Sequence, residues 1–259
     1  MPEVRASDLD VERLGAGPPV VFVHGSIVGG ERTWSRQRAL AARWRLVLAQ
    51  RPGFGASPPL ARGDFEQEAP LIAELLGDGA HLVGHSYGAV IALLAAALRP
   101  AAVRSLTVSE PGALRLAAGN PAVDETIANG EQLYGHSAAL SPREWVRYFR
   151  SGAGSARETP EELPHWLERG ARHAMAERPA WEAEIPLAAL AAAPFPTLVI
   201  SGGHSPVFDA VCDALVAAIG AERAVVPGRG HSIPTAPTYN ETLERFLTRS
   251  SSDGGGAAR

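Results

Sequence analysis

The chain of 259 residues contains no lysine and only one cysteine, so all of its basic charge is carried by arginine. Cys212 has no partner for an intramolecular disulfide, and its position between Val211 and Asp213 in an apparent helix favours a buried structural thiol. No apolar run approaches the roughly 20 residues of a membrane-spanning helix, and the charged N-terminus does not resemble a secretory signal. We therefore expect a cytoplasmic protein that does not enter a membrane.

The chain also lacks a strong excess of charge. Its formal net charge is -4, with 20% charged and 46% hydrophobic residues, as is usual for a globular protein. Nothing in this balance is basic enough to suggest a nucleic-acid partner. A chain of this length that mixes helices and strands commonly forms one catalytic unit, here with an insertion.

Short apolar segments alternate with longer helical patterns, which predicts an α/β fold with a mainly parallel sheet and helices on both of its faces. Each predicted strand is short, apolar and bounded by glycine, proline or polar residues. The predicted strands are residues 20–23, 45–49, 81–83, 103–108, 197–200 and 223–226. Residues 1–111 and 195–249 are therefore assigned to one α/β core.

Residues 112–194 show helical periodicity and no convincing strand, so they are predicted to form an inserted helical cap. Aromatic residues and a methionine in this insertion are candidates to line a substrate cavity, although helical spacing favours simple packing for each of them. They are Trp145, Tyr148, Phe149, Trp166, Met175 and Trp181. The Ser- and Gly-rich residues 250–259 are predicted to be a disordered tail.

The segment Gly84-His85-Ser86-Tyr87-Gly88 has the Gly-x-Ser-x-Gly pattern of a nucleophile elbow. A predicted strand precedes it and a helix-forming run follows, which is the context that this motif requires. Gly84 and Gly88 allow the strand and helix to approach each other closely at a sharp turn. The turn places Ser86 at a helix N-terminus, where developing negative charge is favoured. An incidental serine in a glycine-rich turn is the alternative that this context disfavours.

The strand at residues 20–23, which ends in His24-Gly25-Ser26, together with the elbow, resembles the α/β-hydrolase superfamily over almost the whole chain. The resemblance implies that the backbone N–H groups of Ser26 and Tyr87 form the oxyanion hole. It also implies that His24 holds the turn rather than acting as a base. The segment Arg51-Pro52-Gly53-Phe54-Gly55-Ala56-Ser57 matches a loop of the same superfamily and is interpreted as a marker of the fold.

His231 follows the last predicted strand and precedes a terminal helix, as the catalytic histidine of this superfamily does. An imidazole with a pKa near 6.5 can accept the serine proton and return it to a leaving group. The other histidines are interpreted as strand, turn or cap residues. They are His24, His81, His85, His136, His165, His173 and His204.

The acidic member of the predicted triad departs from the common pattern of the superfamily. After the strand at 197–200, the position that usually holds aspartate is occupied by Ser205, which cannot stabilise an imidazolium as a carboxylate does. Glu110 follows the strand at 103–108, where some members of the superfamily carry their acid, and Asp209 lies near Ser205. We favour Glu110 because the carboxyl ends of strands converge at one edge of a parallel sheet, and keep Asp209 as the alternative.

These residues predict a serine hydrolase that cleaves a small-molecule carboxylic ester, lactone or thioester through an acyl-Ser86 intermediate. A carbon-carbon bond hydrolase, a perhydrolase or an acyltransferase using the same serine is an alternative, as is a ligand-binding protein that has lost catalysis. We expect no metal and no organic cofactor, and no nucleic-acid or membrane partner. The oligomeric state is left open, a homodimer included.

Overall fold

A computed structural model describes residues 4–152 and 158–253. Its centre is a seven-stranded sheet in the order β1-β3-β2-β4-β5-β6-β7. All neighbouring strands are parallel except β1 and β3, which are antiparallel. The strands are β1 (Val11–Leu14), β2 (Pro19–Val23), β3 (Arg45–Ala49), β4 (Ala80–His85), β5 (Val103–Ser109), β6 (Thr197–Ser201) and β7 (Glu222–Val225). The predicted mainly parallel α/β fold is confirmed.

Helices cover both faces of this sheet. In the described residues they are α1 (Gly30–Thr33), α2 (Phe65–Leu75), α3 (Tyr87–Leu98), α4 (Pro121–Gly135), α5 (Pro142–Gly152), α6 (His165–Met175), α7 (Leu187–Ala191), α8 (Pro206–Ile219) and α9 (Tyr239–Asp253). One face packs against α2, α3 and α8, and the other packs against α9 and the Trp34 region. Burial on both faces explains the continuous apolar sequence of β2 and the apolar centre of β4.

The edge strand β1 was not predicted. It has the sequence Val-Glu-Arg-Leu and pairs antiparallel with β3, with no strand on its other side. Because this edge is partly exposed, two of its four side chains can be charged. A half-exposed edge strand of this length has no apolar run by which sequence analysis would recognise it. The five inner strands and the edge strand β7 were predicted, whereas the edge strand β1 was not.

The residues between β5 and β6 form helices α4 to α7 and short 3-10 turns, with no strand in the described part of this stretch. We call residues 112–194 the insertion. Two small apolar clusters hold it together, one around Trp145 and one around Trp181, and the second cluster also includes side chains of α8. The insertion therefore packs against the core at α8.

The predicted tail is wrong at its start, because α9 continues through Asp253. The hydroxyls of Ser250 and Ser251 bond back to backbone carbonyls one turn earlier, and the Ser251 hydroxyl lies 3.0 Å from Nε2 of His81. Composition alone does not predict this last turn of the helix, in which the serine hydroxyls have backbone or histidine partners. Residues 254–259 of the predicted tail lie outside the described residues.

The structure also bears on the single cysteine and on membrane-spanning helices. Cys212 is buried in α8, and burial raises the pKa of its thiol to about 12, which keeps it protonated. In the part of the chain that the structure describes, no helix is both long enough and apolar enough to cross a bilayer.

Candidate active site

Ser86 lies at the sharp turn between β4 and α3. Its backbone has φ 56° and ψ -119°, a conformation that residues with a side chain seldom adopt. At this turn the backbone packs closely against neighbouring backbone at both glycines of the motif. A Cβ on Gly84 would lie 2.6 Å from Cα of Ala89, and one on Gly88 would lie 2.3 Å from the carbonyl oxygen of His24. Only glycine fits at these two positions, so the spacing of the motif follows from close packing.

Ser86, His231 and Glu110 form a continuous chain of hydrogen bonds. Nε2 of His231 lies 2.9 Å from Oγ of Ser86, and Nδ1 of the same ring lies 2.6 Å from Oε2 of Glu110. With the Nδ1 proton facing Glu110, Nε2 is free to accept the serine proton. The sheet brings these three residues together from positions 121 and 145 residues apart in the chain.

Glu110 is held rigidly just beyond the end of β5. Its backbone has φ 43°, and its side chain is fully buried. Oε1 accepts the backbone N–H of Gly202 at 2.8 Å and lies 3.2 Å from Nδ1 of His204. The other oxygen faces His231. Because both oxygens have polar neighbours, the carboxylate is fixed in position for an imidazolium.

The alternative acid Asp209 lies elsewhere. Its carboxylate accepts a hydrogen bond from the Ser201 hydroxyl and forms an ion pair with Arg223 at 3.3 Å. These partners belong to β6 and β7. Of the two acids considered from the sequence, the structure brings Glu110 to His231 and leaves Asp209 in this separate contact.

The His231 ring is packed on both sides. Phe208 of α8 stacks on it with ring centroids 4.4 Å apart and planes 13° apart, and the His85 ring lies 4.9 Å away. His85 also donates from Nε2 to the backbone carbonyl of His231 at 2.8 Å. Burial, followed by the proximity of His231, lowers the pKa of His85 to about 3. A neutral His85 therefore supports the His231 backbone without placing a charge beside it.

The turn after β2 approaches Ser86 closely. A Cβ on Gly25 would lie 2.9 Å from Cβ of Ser86, so a larger residue there would displace the serine. Ser26, next in the chain, and Tyr87 both border the cavity in front of Ser86. Tyr87 occupies the first position of α3, where a backbone N–H has no partner within the helix. The two residues predicted to supply the oxyanion donors thus lie beside Ser86, one in the turn after β2 and the other at the start of α3.

A cavity of about 820 Å³ opens at Ser86 and His231. Its walls are mainly apolar and come from the insertion, while polar residues of α4 border it at several positions. Of the aromatic residues proposed from the sequence, three line it: Tyr148, Phe149 and Trp181. Trp145 is buried behind this wall, Met175 packs in the same cluster, and Trp166 is partly exposed beside Arg32.

Comparison with known proteins assigns the chain to a family. The sequence profile of the alpha/beta hydrolase family matches residues 20–240. The chain belongs to that family. The crystal structure of an alpha/beta hydrolase from Sphaerobacter thermophilus is 26% identical and superposes with a TM-score of 0.68, covering 92% of this chain and 96% of that one.

Two relatives with named activities are also similar to this α/β hydrolase. A pimeloyl-[acyl-carrier protein] methyl ester esterase from Aeromonas hydrophila is 32% identical over 178 residues, which is 66% of each chain. The chain thus spans just under two thirds of that relative's length. The structure of Est816, described as an N-acyl homoserine lactone degrading enzyme, is 25% identical with a TM-score of 0.62, covering 95% of this chain and 100% of that one.

Sequence analysis missed a buried ionic cluster beside the site of this α/β hydrolase. Arg51, interpreted only as a fold marker, forms a bidentate pair with Glu68 at 2.7 and 2.9 Å and also binds Glu177 at 2.8 Å. Burial opposes the charge of Arg51, but the two carboxylates outweigh it and raise its pKa. Glu177 belongs to the insertion, and no local motif in the sequence marks it as a partner of Arg51.

The remaining histidines do not meet at one point that resembles a metal centre. His24 is buried, with Nδ1 2.8 Å from the carbonyl of Gly25 and Nε2 accepting the N–H of Arg51, which supports its structural interpretation. Burial, followed by the charge of Arg51, lowers the His24 pKa well below its usual range. Within residues 4–152 and 158–253, no group of three or more His, Cys, Asp or Glu side chains is arranged to hold a metal ion.

Proposed function

We propose that this protein is a serine hydrolase that cleaves a carboxylic ester, lactone or thioester through an acyl-Ser86 intermediate. The observation that carries the proposal is the hydrogen-bonded chain from Ser86 through His231 to Glu110. Nucleophile, base and orienting acid in this order are what acyl transfer by a serine requires.

In the first half-reaction, Oγ of Ser86 attacks the substrate carbonyl while Nε2 of His231 takes the hydroxyl proton. The carbonyl oxygen becomes an oxyanion, which the N–H groups of Ser26 and Tyr87 stabilise. Each such donor typically contributes about 3 kcal/mol to transition-state stabilisation. Glu110 stabilises the imidazolium at Nδ1, and Nε2 then protonates the leaving alcohol or thiol as the tetrahedral intermediate collapses.

In the second half-reaction, a water molecule replaces the leaving group. His231 accepts a proton from this water as its oxygen attacks the acyl-Ser86 carbonyl. The second tetrahedral intermediate uses the same oxyanion donors. Its collapse releases the carboxylic acid, and Nε2 returns the proton to Oγ of Ser86. These steps use the protein's own side chains and backbone together with the substrate and one water molecule.

The insertion is proposed to act as the cap that selects the substrate. Its apolar residues line the cavity in front of Ser86, and a volume of about 820 Å³ is within the range of small-molecule sites. The esterase from Aeromonas hydrophila and the lactone-degrading Est816 support an ester or lactone as substrate. We therefore propose that an apolar acyl chain occupies the part of the cavity lined by the insertion.

A fluorophosphonate probe followed by a substrate panel tests this function. The wild-type protein should be labelled at Ser86 and should hydrolyse some of a panel of short and medium acyl esters, lactones and acyl thioesters. Ser86→Ala should lose both labelling and turnover, because the nucleophile is gone. Cys212→Ser serves as a control for labelling at a second nucleophile, and it should retain both. Absence of wild-type labelling would instead support a ligand-binding protein without catalysis.

A further inference from the structure

We propose that Glu177 of the insertion is a positioning residue that fixes the oxyanion turn through the hydroxyl of Ser26. The inference rests on the proposed function, and it concerns a residue outside the Ser86–His231–Glu110 chain. It gives the insertion a second role, because the same segment that encloses the substrate also holds one of the two oxyanion donors in place.

The contact itself is short and buried. Oγ of Ser26 donates to Oε2 of Glu177 at 2.5 Å, and the Glu177 side chain has no exposed surface. Charge-assisted O–H···O⁻ bonds of this length are among the stronger hydrogen bonds in proteins. Because the Ser26 hydroxyl donates its only proton here, it has none left for an oxyanion. Ser26 can therefore stabilise the oxyanion only through its backbone N–H.

Arg51 anchors Glu177 from the core side. Nη2 of Arg51 binds Oε1 of Glu177, while Nη1 of the same guanidinium donates to the carbonyl of Gly25 at 3.1 Å. Arg51 thus binds both the carbonyl of Gly25, which precedes Ser26, and the Glu177 carboxylate that accepts the Ser26 hydroxyl. The guanidinium also lies over the ring of Tyr87, 4.2 Å from its centroid. Both proposed oxyanion donors belong to residues that this cluster contacts.

The turn needs such support because its backbone is strained. Ile27, directly after Ser26, has φ 67°, which is unfavourable for a β-branched residue. Helix α6 packs closely against the backbone of Ile27, since a Cβ on Gly170 would lie 1.8 Å from the carbonyl oxygen of Ile27. Strained conformations persist where surrounding contacts determine them. Glu177 and Gly170 are two such contacts, and both come from the insertion.

A purely structural salt bridge would have a different effect on kinetics from a positioning contact. Loss of a structural bridge lowers stability and the fraction of active protein. Loss of a positioning contact lowers transition-state stabilisation in protein that remains folded, so kcat and the affinity for a transition-state analogue fall together while KM changes little. A smaller active fraction lowers the apparent kcat but leaves that affinity unchanged. Misplacement of a catalytic group by about 1 Å can cost up to roughly 100-fold in rate.

The experiment measures kcat and KM for Ser26→Ala, Glu177→Gln and the double variant with the best p-nitrophenyl ester of the panel. An alkyl trifluoromethyl ketone, which forms a reversible tetrahedral adduct with a serine nucleophile, reports transition-state binding. Ser26→Ala should lose about tenfold in kcat and about the same factor in affinity for the ketone, with KM nearly unchanged. Ser26 is only half-buried, so this variant is expected to fold even if Glu177→Gln does not.

The double variant and a control complete the test. If Glu177 acts through Ser26, Glu177→Gln should add almost nothing in the Ser26→Ala background. Glu182→Gln changes an exposed glutamate of the same segment that pairs with Arg178, and it should keep the wild-type kcat. An active wild type in which Ser26→Ala keeps its kcat and ketone affinity overturns the inference and leaves the proposed function standing. A wild type without turnover or labelling overturns both.

Discussion

At the scale of single residues, backbone strain in the described chain is concentrated at the candidate site. The residues other than glycine that have positive φ there are Ile27, Ser86 and Glu110. Ser86 and Glu110 directly follow the carboxyl ends of β4 and β5, and Ile27 lies in the turn after β2. Such conformations cost on the order of 1–3 kcal/mol each and are typical of functional sites. Their grouping coincides with the hydrogen-bonded chain of the candidate site.

Exchange of the two candidate acids for amides should separate their roles. We expect Glu110→Gln to lower kcat by about three to four orders of magnitude, because an amide neither fixes the His231 tautomer nor stabilises the imidazolium. Asp209→Asn should keep kcat within about threefold of wild type, since its carboxylate bonds Ser201 and Arg223 instead. Steady-state kinetics with one ester, alongside thermal unfolding, distinguish catalytic from stability effects. A loss of kcat confined to Asp209→Asn would contradict the assignment.

The sequence allowed some of these residues to be predicted and left others hidden. Ser86 and His231 were predicted because local motifs and chain order mark them, and Glu110 because it follows a buried strand. Arg51 and Glu177 are 126 residues apart, and their pairing depends on how the insertion docks on the core. Single-sequence patterns carry no information on such docking, so the ionic cluster and the hydroxyl contact of Ser26 appeared only in three dimensions.

At the scale of elements, predictability followed the apolar content of each segment. The five inner strands are apolar because both of their faces are covered, and they and the edge strand β7 were predicted within about two residues of their observed ends. The edge strand β1 and the last turn of α9 were missed because partners elsewhere in the chain stabilise them. Val11 pairs with Ala49, and Ser251 contacts His81. Tertiary contacts outweigh local sequence preference in both cases.

Packing between elements of the insertion should set the acyl-chain preference. Trp181 lies against α4, where a Cβ on Gly130 would be 2.5 Å from its ring, and it stands edge-on to Tyr134 with centroids 5.4 Å apart. Trp181→Leu removes part of the cavity wall. We expect the ratio of kcat/KM for p-nitrophenyl octanoate to that for the butyrate to rise about tenfold, because the space left by the indole accommodates about two further methylenes of the octanoyl chain at about 0.8 kcal/mol each.

This ratio is independent of the fraction of folded protein, so a loss of stability cannot produce the shift. Trp166→Leu is the matched control, because Trp166 belongs to the same insertion but contacts Arg32 rather than the cavity. It should leave the ratio at the wild-type value. An unchanged ratio in Trp181→Leu would place the acyl chain elsewhere in the cavity.

At the scale of the whole molecule, several histidines are buried, and burial is the largest influence on their pKa values. Burial, followed by the charge of Arg104, lowers the pKa of His81 to about 4, and His85 has a pKa of about 3. Burial also lowers the pKa of His173. These rings are neutral in the folded protein near pH 7, whereas in the unfolded chain they take up protons near pH 6.5. Folding therefore competes with protonation as the pH falls.

The sign of this linkage predicts acid destabilisation well above the range in which carboxylates titrate. The contribution of His81 is fully present above about pH 6.5 and is lost as the pH falls toward its folded-state pKa of about 4. Between these limits one proton taken up on unfolding lowers the free energy of unfolding by about 1.4 kcal/mol per pH unit.

His81→Asn should be less stable near pH 7, because the bonds to Ser105 and Ser251 are disturbed. Its free energy of unfolding should nevertheless fall less steeply as the pH decreases, by about 1.4 kcal/mol per pH unit. Urea unfolding at several pH values between about 7 and 5 measures the slope, and His136→Asn, at an exposed position, should keep the wild-type slope. Equal slopes for His81→Asn and wild type would mean that folding does not lower the pKa of His81.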